Sequence, residues 1–172
     1  MLRGPVERCL SSFYHFGVLD MGMQPSTANK LQWIEQADEC SPRSMLSYIA
    51  PVSDLSPEKA LKEFDFVGST ERFDESLLIL AKRLGINQSD ILYLPAKVAG
   101  TKANPYKHPP LEQESQDVKD AVRRLEGSPD ARLVELASEQ LDRARTLYGG
   151  PGFGRELARF RERLQLIKQQ CG

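Results

Sequence analysis

Phe64-Asp65-Phe66-Val67-Gly68-Ser69-Thr70-Glu71-Arg72-Phe73-Asp74-Glu75-Ser76-Leu77-Leu78-Ile79-Leu80-Ala81-Lys82-Arg83-Leu84-Gly85 is the stretch that decides the fold class. Its opening, apolar with aromatic and β-branched side chains, reads as a short buried strand. Gly68 breaks that run. Thr70 is placed to cap a helix, with Glu71 in the first turn, where an acid suits the positive end of the dipole. Phe73, Leu77, Leu80, Ala81 and Leu84 recur at helical spacing, and Gly85 supplies the stop. Strand, turn and helix in succession predict a building block of an α/β fold. The plain alternative is core scaffold without chemistry.

Upstream, Leu2-Arg3-Gly4-Pro5-Val6-Glu7-Arg8-Cys9-Leu10-Ser11-Ser12-Phe13-Tyr14-His15-Phe16 carries the most chemical information. Pro5 suits a first helical turn, and Val6, Cys9, Leu10, Phe13 and Phe16 fall at helical intervals. Arg3 then stands just before the helix, and Ser11 lies roughly 9 Å along its axis from Pro5. A phosphate beside the helix can meet both if Arg3 folds back along the flank. The guanidinium offers a planar fork and the hydroxyl a further donor. The competing reading is an amphipathic helix with a surface arginine and a solvated serine. Further on, Asn29 to Ala37 reads as a helix with Trp33 in the core or on a groove wall. Ser56 and Pro57 read as the cap and first position of a short helix.

Downstream, Ile91 to Leu94 reads as a second short strand or extended edge. Pro95 to Pro110 is a proline-punctuated, mildly basic loop. Two helices follow, Ser115 to Glu126 and one from Ser128-Pro129 through Tyr148. After Gly149-Gly150-Pro151-Gly152 a last amphipathic helix sets Phe153, Leu157, Phe160, Leu164 and Ile167 at alternating spacings of four and three. With so few heptads it is expected to dock on the domain rather than form a long coiled coil. Arg155, Arg159, Arg161, Arg163 and Lys168 give it a basic exterior.

The 172 residues suffice for one domain with a sizeable core. A net charge of -1 argues against a nucleic-acid binder driven by bulk charge. No apolar run is long enough to span a bilayer, and Met1 to Glu7 lacks the apolar region of a secretory signal. Cys9, Cys40 and Cys171 have no metal-like spacing, so no metal site is expected. Their odd number leaves at least one unpaired within the chain. Cys9 falls on the apolar face of the first helix and is expected to be buried. The redox compartment stays open.

Val67-Gly68-Ser69-Thr70-Glu71-Arg72-Phe73-Asp74-Glu75-Ser76-Leu77 resembles the TE-x-FDESL segment of carbohydrate sulfotransferases, Golgi enzymes that move sulfate from 3′-phosphoadenylyl sulfate to a sugar hydroxyl. Arg3-Gly4-Pro5-Val6-Glu7-Arg8, followed by Ser11 and aromatics, is similar to that family's 3′-phosphate motif, Arg-x-Pro-x-x-Arg and then Ser. Gly4 departs from the acidic residue often found there. Asp130-Ala131-Arg132-Leu133-Val134-Glu135-Leu136-Ala137 resembles the family's D-x-x-LYEYA helix, with Val134 in the tyrosine's place. The resemblance runs from Leu2 to about Tyr148 and covers the downstream part of the family's domain.

It implies an α/β, partial P-loop-like sulfotransferase fold, mostly helical with a small parallel sheet remnant. Residues 1–148 would be the C-terminal part of that domain and 149–172 a C-terminal amphipathic helix. It further implies 3′-phosphoadenylyl sulfate (PAPS) as sulfate donor, no metal, and a carbohydrate acceptor, glycan or glycosaminoglycan-like. Arg3 and Ser11 would hold the 3′-phosphate. Lys102 would face the donor from the basic loop, with Lys107 as second candidate; a solvated linker is the alternative there. Catalytic residues stay unassigned, because no matched motif gives His15 or Glu71 the role of base. The phosphate loop of the family is not found: Gly149-Gly150-Pro151-Gly152-Phe153-Gly154 carries no lysine. The chain is therefore expected to be an inactive part of a Golgi-lumen enzyme whose membrane anchor would precede Met1. The rival expectation is a non-catalytic helical interaction module that retains a relic nucleotide site. A nucleotide kinase of related architecture is opposed by the missing phosphate loop.

Overall fold

A computed structural model gives the arrangement of residues 1–50, 56–94 and 109–171. Helix dominates, and among the described residues there is no strand or sheet. The chain forms two compact units. One comprises the described residues of Arg3–Ala60 and Lys97–Val134, the other those of Met1–Leu2, Leu61–Ala96 and Glu135–Gly172.

In the first unit, α1 spans Pro5–Ser12 and runs on without a break into a π-helical stretch, Phe13–Asp20. Proline at the first position costs nothing, since that N–H would have no helical partner. Cys9, Leu10 and Phe13 are buried as their spacing predicts, but Phe16 is 38% exposed. The wider turn that begins at Phe13 takes it off the α-helical register. Helix α2, Thr27–Gln36, begins earlier than its apolar residues suggest. Ser26 Oγ accepts from the Asn29 N–H at 3.2 Å and fixes that start.

Next come α3, Ser44–Ile49, and α4, Pro57–Lys62, the latter with Ser56 and Pro57 in the predicted positions. Helix α6 spans Gln116–Arg123, with Ser115 Oγ accepting from Val118 N–H. Leu10, Ile34, Val118, Val122 and Leu125 close one core with Cys9 and Cys40. Each such aliphatic side chain contributes about 1.5–3 kcal/mol by leaving water. Beside this core, the buried Lys30 ammonium donates to both Glu114 carboxylate oxygens at 2.9 and 2.6 Å and lies over the Tyr14 ring. Burial alone would lower its pKa; Glu114 and Tyr14 outweigh that, and the net shift is upward.

Cys9 is a disulfide half. It is bonded to Cys40 with an S–S distance of 1.97 Å, both residues essentially without exposed surface. The expectation of burial holds, and the disulfide fills in the pairing that the sequence left open. A separation of 31 residues gives no hint of pairing until α1 and the 3₁₀ turn Asp38–Cys40 are packed together.

In the second unit, α5 spans Phe73–Leu84 and ends at Gly85, which takes the left-handed conformation at φ 68°. The predicted strand from Phe64 does not form. What remains is an extended segment with one isolated parallel bridge, Leu2 to Ser69: Leu2 N–H donates to Gly68 O, and Thr70 N–H to Leu2 O, both at 2.8 Å. Only Leu2 pairs with it among the described residues, and one rung is not a ladder. Phe64 is 43% exposed, whereas Val67 is buried.

Thr70 does not cap α5. Arg72 occupies that position, with φ −118° and ψ 41° and no side-chain cap bond. Ile91 to Leu94 is no strand either, since a 3₁₀ turn spans Gln88–Ile91. Helix α7 spans Pro129–Ala144, with Ser128 Oγ accepting from the Ala131 N–H, and is followed by a π-helical turn, Arg145–Gly149. Helix α8, Phe153–Cys171, then lies against α5. Leu78, Ile79, Leu141 and Phe153 form the core of this unit, with Phe66, Ile91 and Leu157 packed on it.

Candidate functional site

Arg3 stands one residue before the Gly4 N-cap of α1, and Ser11 sits in the helix's last turn. Both are half-buried, and neither side chain has a hydrogen bond or ion pair with another described residue. The neighbouring residues are differently employed. Ser12 Oγ is buried, donates to Cys9 O at 2.7 Å and accepts from Trp33 Nε1 at 2.9 Å. Arg8, the second arginine of the same motif, points into the protein. Its Nε donates to Glu39 O at 3.0 Å and its Nη2 to Asp130 Oδ2 at 2.8 Å.

Asp130 has no exposed surface. Besides Arg8 it accepts from the Met45 and Leu46 N–H groups, each at 2.8 Å, and so satisfies the free donors that open α3. Two of the sequence motifs, 122 positions apart at these residues, therefore meet in one buried ion pair. Sequence reasoning missed this role for Arg8 and Asp130. Nothing in local spacing could supply it, because the partners are joined only by the tertiary fold.

On the flank of α2 a cleft of ≈ 480 Å³ opens between Trp33 and the end of the π-helical stretch. Phe16, Met21 and Met23 make its apolar wall, with Gln36 and Glu39 at its polar edge. Trp33 is thus a groove-wall residue, one of the two fates its sequence position allowed. His15 touches Phe16 edge-on, with ring centroids 4.7 Å apart.

In the second unit the residues of the Thr70-to-Leu77 motif are engaged within the fold. Glu71 accepts from Ser69 Oγ at 2.6 Å. Arg72 donates to both Glu75 oxygens at 2.9 and 2.8 Å, to Asp142 at 2.7 Å and to Ser138 at 3.2 Å. The Glu75 bonds first, and Asp142 after them, push its pKa up despite partial burial. Asp74 accepts from Tyr93 Oη at 2.7 Å and from Arg161 Nε at 2.9 Å. Burial, then the Asp74 carboxylate, push the Tyr93 phenol up to about 12.

Ser76 Oγ accepts from the Ser69 N–H at 3.1 Å. A Cβ on Gly68 would meet Ser76 Cβ at 2.8 Å and Met1 Sδ at 2.5 Å, so glycine is required for this close approach. Lys102 and Lys107 lie outside the described residues. No cluster of metal-ligating side chains occurs among the described residues, and no described helix is long and apolar enough to cross a membrane.

Of the candidates, then, Arg3 lies just before α1 and Ser11 within it, both without partners among the described residues, whereas the second motif builds the fold around itself. Comparison of the chain with protein-family profiles, with curated proteins and with solved structures gives no match.

Proposed function

We propose that this chain carries the 3′-phosphate-binding part of a carbohydrate sulfotransferase-like domain with a partial P-loop-like fold, and that Arg3 and Ser11 hold the 3′-phosphate of the donor. The observation that carries the reading is the state of those two side chains: half-buried, one just before α1 and one within it, and without partners among the described residues. Arg8, three positions before Ser11, by contrast ties Nε and Nη2 to Glu39 O and Asp130 within the scaffold, its Nη1 alone lacking a partner among the described residues. An arginine fork and a hydroxyl without partners among the described residues, beside a disulfide-tied helix, suit an incoming phosphate. The Leu2–Ser69 bridge is what a remnant of a parallel sheet would contribute, and it ends at the residue before Arg3.

In the complete reaction the acceptor hydroxyl oxygen forms a bond to sulfur as the sulfur–oxygen bond to the 5′-phosphate breaks. The hydroxyl proton passes to a base, and adenosine 3′,5′-bisphosphate leaves. For this chain by itself the proposal is binding of that product without transfer. The Cys9–Cys40 disulfide supports an oxidising compartment such as the secretory-pathway lumen. The acceptor in this reading is a glycan.

Calorimetric titration with adenosine 3′,5′-bisphosphate tests it. Arg3→Ala is expected to weaken binding about tenfold or more, the worth of a charged hydrogen-bond pair, and Ser11→Ala severalfold. Equal affinity for parent and Arg3→Ala would reject the site. A second reading, a non-catalytic helical interaction module with a relic nucleotide site, is favoured by the all-helical character of the described residues. Absence of any heat with the nucleotide, together with self-association through α8, would select it.

A further inference from the structure

The cleft beside Trp33 shares no lining residue with the proposed phosphate site. Its volume, ≈ 480 Å³, suits a small organic molecule. Phe16 and Trp33 supply aromatic rings, and Met21 and Met23 supply polarisable thioethers. Among the described residues Glu39 is the one charged member of the lining. Its side chain has no hydrogen bond or ion pair with another described residue.

The cleft is held in shape before any ligand arrives. Trp33 Nε1 donates to Ser12 Oγ at 2.9 Å, and Phe13 meets the indole edge-on with ring centroids 6.1 Å apart. Ser12 Oγ donates in turn to the carbonyl of Cys9, which is bonded to Cys40. Glu39 directly precedes Cys40, and its own carbonyl accepts from Arg8 Nε at 3.0 Å. Arg8 is paired with Asp130, so its charge is already balanced. The indole wall and the acidic edge are thus both anchored to α1. The π-helical stretch and its end add Phe16 and Met21, the latter 67% exposed although apolar.

We propose that this cleft binds a small organic ammonium ion with an apolar body, the rings and thioethers receiving the body and Glu39 the charge. A cation is attracted to the face of an indole or phenyl ring, and alkyl groups on the nitrogen suit the same surface. The carboxylate neutralises that charge in a partly apolar surround, where opposite charges attract more strongly than in open water. An anionic ligand, a sulfated glycan included, would meet Glu39 as a like charge, with no lysine or arginine in the described lining to offset it. A neutral apolar ligand would gain nothing from Glu39. The site takes a cation and does not depend on the 3′-phosphate reading.

Trp33 is the single tryptophan of the chain, so its fluorescence reports on the cleft directly. The full chain, disulfide intact, is titrated with three probes that share a 4-phenylbutyl body and differ in the head: trimethylammonium, hydroxyl and sulfonate. The ammonium probe is expected to change Trp33 emission saturably, the hydroxyl probe to bind about fivefold more weakly and the sulfonate more weakly still. Glu39→Gln removes a side chain on which no described residue relies, so the fold is expected to survive it. It should weaken the ammonium probe about tenfold and leave the hydroxyl probe unchanged. Met21→Ser, at a mostly exposed position, should weaken both probes severalfold, and Glu63→Gln, in the other unit, should affect neither. Equal affinity of the ammonium and hydroxyl probes would overturn the proposal. So would an ammonium affinity untouched by Glu39→Gln, or no saturable binding of the ammonium probe by fluorescence and calorimetry.

Discussion

The first turns of α1 and the first turn of α5 carry sequence wording of the same kind, yet they end in opposite states. Around α5, Arg72, Asp74, Glu75 and Ser76 are bonded to neighbours in the same unit, and Gly68 makes room for Ser76. On and just before α1, Arg8 and Ser12 are absorbed by the scaffold while Arg3 and Ser11 have no partners among the described residues. A motif is thus two things at once: residues that hold a backbone in place, and residues that the place is for. Only the side chains left without partners can belong to the second kind.

The largest test of that division is Asp130→Ala. It strands the Arg8 charge in a buried site and frees two α3 N–H groups, so a loss of about 3–5 kcal/mol in denaturant unfolding is expected. A loss below one kcal/mol would mean that the pair does not hold the first unit together. Gly68→Ala should come next, at about 1–3 kcal/mol, because its Cβ has no room against Ser76 and Met1.

Tyr93 sharpens the comparison through pH. Its folded pKa is raised, so the stability it adds is fully present below the ordinary phenol value and is lost as pH rises through about 12. Tyr93→Phe should lose about 0.5–1.5 kcal/mol near neutrality and flatten the fall in stability between pH 10 and 12, read by unfolding at each pH. The smallest effect belongs to Arg3→Ala, within about 0.5 kcal/mol of the parent, since no described residue relies on that side chain.

What was legible in the sequence was local chemistry. Serine before proline at Ser56 and Ser128, proline at the start of α1 and glycine after α5 each fix a helix end through their own backbone geometry. The face of α5 was not legible. Leu77 to Ala81 are apolar without interruption, so several stripes fit equally well. The burial chosen by the fold falls on Glu75, Ser76, Leu78, Ile79 and Ala81, and it leaves Leu84 61% exposed. The Phe64 run was too short to specify a strand, because a strand is defined by its partners and one residue, Leu2, is the partner described. The α/β expectation therefore reduces to a mostly helical chain with a single parallel bridge. The disulfide and the Arg8–Asp130 pair were beyond reach for the same reason. They join residues that only packing brings together.

The most direct measurement is a crossed pair, Arg3→Ala and Arg72→Ala, each followed by thermal unfolding and by calorimetric titration with adenosine 3′,5′-bisphosphate. The account predicts that Arg3→Ala keeps the parental melting temperature and loses the nucleotide, while Arg72→Ala melts earlier and, below its transition, binds as the parent does. A melting temperature lowered by Arg3→Ala with nucleotide affinity intact would contradict it.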